Sequence, residues 1–147
     1  MSLLENIHED MIDATRKGDT ERSEILKMMF ASVKNEEIDA GKTLSDDEVI
    51  KILRKESKKI QDSIDQFNKM NRLDLVHKEE LQLNVIKEYL PELMEESQIK
   101  EIAMRVIKEN NVQGIKDMGK VMGIVMKEIN GQADGNTVRN IVSQLLS

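Results

Sequence analysis

Apolar residues recur three and four positions apart along almost the whole of this chain, and only a few helix-ending residues interrupt them. The sharpest interruption is the single proline, Pro91. A proline lacks a backbone donor and disfavours helix at the residue before it. Before it, Leu3, Leu4, Ile7, Met11 and Ala14 predict a first helix over about residues 2–16. Gly18 suits its end and Asp19 can cap the next helix, where Ile25, Leu26, Met29, Phe30 and Val33 share a face up to about Gly41. Ser45 followed by Glu48 is a capping box. It opens a long helix with Val49, Leu53, Ile60, Ile64 and Phe67 inward, and a fourth helix runs from about Leu73 to Leu90.

After Pro91 comes a short acidic link, Glu92 to Glu96, suited to a helix start. Three shorter helices follow: about 96–110 with Ile99, Ile102 and Val106, about 116–129, and about 135–146 with Val138, Ile141, Val142 and Leu145. The expected architecture is all-α, with an N-terminal domain of about four helices over 1–91 and a small C-terminal three-helix domain over 92–147. So short a second domain is near the lower limit for an independent core, and docking or a partner would help it. Only 2% of residues are aromatic, and strands are enriched in aromatic and β-branched residues, so a sheet protein is disfavoured.

The formal net charge of −6 argues against attraction of the whole molecule to nucleic acid, leaving only local basic stripes for that role. The absence of cysteine removes disulfides, thiolate catalysis and sulfur-bound zinc. No run reaches membrane-spanning length, and the opening MSLLENIHEDMIDATRK lacks the apolar core of a signal peptide and is too acidic for a transit peptide. The expectation is a soluble, cytoplasmic protein that needs no membrane.

Catalytic groups are hard to find. His8 and His77 are the only histidines and sit on charged helical surfaces. There is no nucleophile elbow, phosphate loop or His-x-x-x-His metal pair, and no cofactor is implied. Glu36-Glu37 and Glu79-Glu80 are adjacent pairs whose side chains diverge on a helix. The reading is no catalytic residue and no metal site.

Two basic stripes are candidates for binding. On the long helix Lys51, Arg54, Lys55 and Lys58 lie opposite the apolar face, where a solvated surface is the plainer explanation. The second stripe lies in DMGKVMGIVMKEINGQADG, residues 117–135. At 100° per residue Met118, Met122, Val125 and Ile129 share one face, flanked by Val121 and Met126, and the methionines read as core filling. Lys116, Lys120, Gly123 and Lys127 fall opposite, with Arg139 of the last helix as the nearest further cation. Each glycine costs roughly 1 kcal/mol relative to alanine inside a helix, so close approach of a helix or a ligand is implied. Gly119, beside the apolar face, is expected to serve helix packing; Gly123, between lysines, leaves a flat place for a phosphate backbone or a partner helix. Asn130-Gly131-Gln132 is a turn and Asp134 the expected cap of the last helix.

DMGKVMG followed by GQADG resembles the signature of the YqeY family, the GatB/YqeY-type proteins. MSLLENIHEDM, Lys34-Asn35-Glu36, Asn71-Arg72-Leu73-Asp74-Leu75 and Tyr89-Leu90-Pro91 extend the resemblance over nearly the full length. It implies a helical N-terminal domain, a three-helix C-terminal domain, and kinship with the helical and tail regions of the B subunit of the tRNA-dependent amidotransferase, whose tail contacts tRNA. That subunit's kinase-like active site lies in a portion this chain lacks, so a label such as carbon–nitrogen ligase with glutamine as amido-N-donor has no residue here to support it. In the family pattern cations often run through the turn. Here Lys127 stands in place of a proline, and Glu128, Asn130 and Gln132 occupy places where cations are common. The resemblance and the second stripe together suggest a non-catalytic accessory module touching tRNA or a tRNA-aminoacylation complex through Lys116, Lys120, Gly123, Lys127 and Arg139. The alternatives are a protein–protein adaptor, in which the glycine strip and Ile124 receive a partner helix, and an amidotransferase component.

Overall fold

The computed structural model describes residues 1–147 and is all-helical: α1 (Leu3–Arg16), α2 (Thr20–Ala40), α3 (Asp46–Lys69), α4 (Leu73–Lys87), α5 (Glu96–Glu109), α6 (Met118–Ile129) and α7 (Gly135–Leu146). Local chemistry accounts for most of the ends. Ser2 Oγ accepts from the Glu5 amide at 3.1 Å while the Glu5 carboxylate accepts from the Ser2 amide at 3.1 Å, closing a capping box on α1. Asp19 accepts from the Arg22 amide at 3.2 Å and starts α2, and Gly41, at φ +67°, ends it in the left-handed conformation that glycine adopts without strain. Ser45 and Glu48 form the box that opens α3. The crossing from α2 to α3 is held by Glu37, whose carboxylate accepts from the Leu44 amide at 3.0 Å and pairs with Lys34 at 3.2 Å.

Two elements depart from the expected spans. Helix α4 ends at Lys87, three residues short of the expected Leu90, because the amides of Glu88, Tyr89 and Leu90 bond carbonyls three residues back at 3.0–3.2 Å and tighten the chain into turns. The segment expected to begin at 116 opens instead with a single 3₁₀ turn, Ile115–Asp117, after an extended Gly114, and α6 proper starts at Met118.

The helices gather in two compact units, Met1–Leu90 and Pro91–Ser147. In the first, Ile7, Leu26, Val33, Val49 and Leu53 are essentially solvent-free, with Ile60, Ile64, Val76, Leu83 and Ile86 beside them. Full burial of each such side chain stabilises by about 1.5–3 kcal/mol before chain entropy is counted. Polar ties close this unit. Thr15 and Ser23 share a hydrogen bond of 2.7 Å between α1 and α2, Arg22 pairs with Glu88 at 2.8 Å, and the Tyr89 hydroxyl donates to Asp10. The second unit packs Ile99, Ala103 and Val106 of α5 against Val121, Val125 and Ile129 of α6 and Val138 and Val142 of α7. The Met94 amide donates to the Gln132 carbonyl, fastening the segment before α5 to the turn after α6. No helix is long and apolar enough to cross a membrane.

Candidate nucleic-acid interface

The buried stripe of α6 is narrower than its methionine content suggests. Val121, Val125 and Ile129, spaced four apart, are fully buried, whereas Met118, Met122 and Met126 lie half-buried along the edges. The expectation that methionines fill this core holds at its margins, where all three pack against the buried row, and not at its centre. Three branched side chains in one i, i+4, i+8 row already occupy the space facing α5 and α7, leaving the longer, flexible thioethers to cover the margins.

On the other side of α6, Gly119, Lys120, Gly123 and Lys127 are exposed. A Cβ added to Gly119 or Gly123 would meet no atom within 4 Å. Gly119 therefore does not serve packing between helices of this chain, contrary to the expectation from its place beside the apolar stripe. At residue 119 the α6 surface turns out toward solvent before it reaches a neighbour. Neither glycine is required by anything inside the molecule, although both weaken the helix that carries them.

The cations predicted for this surface are partly brought together. Lys120 and Lys127 stand on the same side of α6, about 10 Å apart along its axis at 1.5 Å per residue. Lys116 belongs to the 3₁₀ turn, so the stripe is not one unbroken helical row. Arg139 is exposed on α7. None of these four cations takes part in an ion pair within the chain. Arg105 is a cation that sequence reasoning missed here. It binds Glu128 from across the α5–α6 interface and lies 3.9 Å from Glu109. Its pairing removes Glu128 from the charge facing Lys127. Twenty-three positions separate Arg105 from Glu128, so no helical spacing rule could have joined them.

The turn after α6 has Asn130 at φ +50° and Gly131 at φ +81°. Asp134 occupies the N-cap of α7 in an extended conformation, yet its side chain makes no capping hydrogen bond. The position expected of it is correct, and the expected capping contact is absent. Ala133 of this turn is buried, and the Val138 amide bonds the Asp134 carbonyl at 3.2 Å, so packing and the backbone start this helix.

The stripe on α3 is more mixed. Lys51, Lys55 and Lys58 are exposed and Arg54 is half-buried, but Arg54 and Lys58 interact within the chain. Lys51 and Lys55 border a hollow that also carries Glu36, Glu48 and Glu56, so acid offsets base locally. His8 rests against Phe30 with ring centroids 5.0 Å apart. No cluster of three or more His, Asp or Glu side chains is arranged to hold a metal ion.

The family described as Yqey-like protein matches residues 4–146, essentially the whole chain. The chain belongs to the YqeY family. Curated relatives are similar over much of the chain. The mitochondrial protein named altered inheritance of mitochondria protein 41 is 33% identical in Vanderwaltozyma polyspora over 134 residues, 90% of this chain and 69% of the relative. The protein of the same name in Pyrenophora tritici-repentis is 29% identical over 133 residues, 89% of this chain and 73% of the relative. An uncharacterised Schizosaccharomyces pombe protein is 29% identical over 86 residues, 58% of this chain and 70% of the relative. These names overturn the cytoplasmic placement expected above. Relatives of this YqeY-family chain are named as mitochondrial, and an acidic, cysteine-free composition suits an organelle interior as well as a cytosol.

Several residues that carried the YqeY resemblance have structural work in the first unit. Asn71 takes a left-handed conformation at φ +54° between α3 and α4, and Arg72 bonds Asp74 through two contacts of 3.3 Å. Tyr89 is the donor to Asp10. The signature on α6 differs from these in turning Gly119, Lys120 and Gly123 to an open surface.

Proposed function

We propose that this YqeY-family chain is a non-catalytic, RNA-associated accessory module that contacts tRNA, or a complex acting on tRNA, through the exposed face of α6. The observation carrying this reading is the combination of two open glycines with Lys120 and Lys127, which have no acidic partner in the chain. Backbone exposed at Gly123 allows close approach of a phosphate strand, and the flanking ammonium groups neutralise it by displacing counterions. Lys116 and Arg139 extend the cationic surface. The net charge of −6 makes such binding weak and salt-sensitive.

Purified tRNA titrated against the full chain at increasing salt is the direct test. Binding is expected at low ionic strength, and Lys120→Ala and Lys127→Ala should each reduce the slope of log K against log salt by about one. No retention of tRNA at low salt, or slopes unchanged by both substitutions, refutes the reading.

A second reading is favoured by Gly119, which is as open as Gly123 and lies toward the half-buried Met122 and Met126. A partner helix laid along this strip would find small residues beside flexible apolar ones. Lys120→Ala combined with Lys127→Ala separates the two. The pair should abolish salt-dependent RNA binding while leaving capture of a partner helix on the glycine strip in place. The names of these relatives mention no amidotransferase activity, and no catalytic group for that chemistry was found in this sequence.

A further inference from the structure

The first unit carries a groove of about 490 Å³ between α2 and α4. Met28 and Leu81 provide apolar lining. Met28 is 58% exposed, although α2 already commits Leu26, Met29 and Val33 to the core on its other side. Leu26 and Met28 are separated by about 160° around the helix, so Met28 is not a core side chain at the edge of its cavity. Helix α2 thus presents Met28 to the groove outside the face it buries, with Ile25 of the groove wall packed against the core.

The two walls of the groove differ in charge. Helix α2 contributes Glu21 and Glu24, and α4 contributes His77 and Lys78. None of these four has an ion-pair partner within the chain. Asp74, the acid on the α4 side, is already bound to Arg72 at 3.3 Å. An occupant must therefore offer base toward α2, acid toward α4, and apolar side chains between. A second copy of this face meets all three requirements. A two-fold axis running along the groove sets α2 of one copy over α4 of the other, and every complementary contact then occurs twice.

We propose that the α2–α4 groove is a self-association surface whose occupant is a second copy of this chain. Met28 of each copy enters the groove of the other, and the acidic α2 wall of each faces the basic α4 wall of the other. An unbranched thioether adapts to such a groove without a single required rotamer. The two-fold repetition makes each substitution count twice.

Sedimentation equilibrium of the full chain tests this. A monomer–dimer equilibrium with Kd below about 100 μM is expected. Met28→Glu should leave the helical circular-dichroism signal unchanged and abolish the dimer. Glu24→Lys and Lys78→Glu should each weaken it at least about tenfold, and the double variant should return it to within about threefold of the original, because the walls exchange sign and remain complementary. A chain that stays monomeric over the whole range overturns the proposal. A dimer indifferent to Met28→Glu, or a double variant as weak as its parents, overturns it equally. Binding of tRNA by Met28→Glu is expected to be unaltered, so failure here is distinguishable from failure of the α6 reading.

Discussion

The Tyr89 hydroxyl is half-buried beside the carboxylate of Asp10, to which it donates a hydrogen bond. Burial first, and then that hydrogen bond, push its ionisation well above the ordinary phenol value of 10.0. The unfolded chain therefore releases this proton at lower pH than the folded one. The stability linked to it is fully present below about pH 10 and is lost as pH rises beyond that. Tyr89→Phe removes the donor and should reduce stability by about 0.5–1.5 kcal/mol near neutral pH. Urea unfolding across a pH series should show this difference shrinking above about pH 10, as the native hydroxyl loses its advantage. A difference that is constant into the alkaline range would mean that the hydroxyl does not act through its proton. A second lesson at this scale comes from Glu128. Its negative charge looks like a defect in a cationic turn until Arg105 is seen to be bound to it.

Helix α6 is the element whose sequence and surroundings disagree most. Its buried row of Val121, Val125 and Ile129 would hold it in place with alanine at residue 123, since nothing lies within 4 Å of a Cβ there. Gly123→Ala should thus raise stability by about 0.5–1 kcal/mol, measured as an upward shift of the thermal midpoint of the second unit. Gly119, one residue inside the helix start, should give a smaller gain. If Gly123→Ala stabilises the chain and weakens tRNA or partner binding, the glycine is retained for an external contact. If it destabilises the chain, the glycine serves an internal role instead. Helix α2 shows a related pattern. Its weak amphipathicity follows from carrying Met28 on one side and Leu26, Met29 and Val33 on another.

At the scale of the molecule, the chain has two hydrophobic cores rather than one. The second rests on nine buried side chains drawn from three short helices and the turn before α7. So small a core has little stability in reserve. Ile99→Ala, at a position with no exposure, should cost about 2–5 kcal/mol and unfold much of residues 91–147. Hydrogen exchange should then show protection lost across α5, α6 and α7, with α1–α4 retaining theirs. Loss of protection over the entire chain would show that the units unfold together. The net charge of −6 is likewise a property of the whole that conceals its parts, because the exposed side of α6 is locally cationic.

Helix number, approximate ends and inward faces were legible in the residue order. Periodic apolar side chains, the Ser2 and Ser45 boxes, Gly41 and Pro91 act through contacts within a few positions of themselves. The family could be read in the same way, from short motifs, and its model matches residues 4–146. Tertiary structure alone decided that Val121, Val125 and Ile129 take the centre of the α6 core and the methionines its margins, that Gly119 faces open space, that Arg105 binds Glu128, and that Tyr89 reaches Asp10 across 79 positions. A helical period states which side of a helix a residue occupies. What stands opposite that side depends on where the other helices pack, and that is set by interactions distant in the chain.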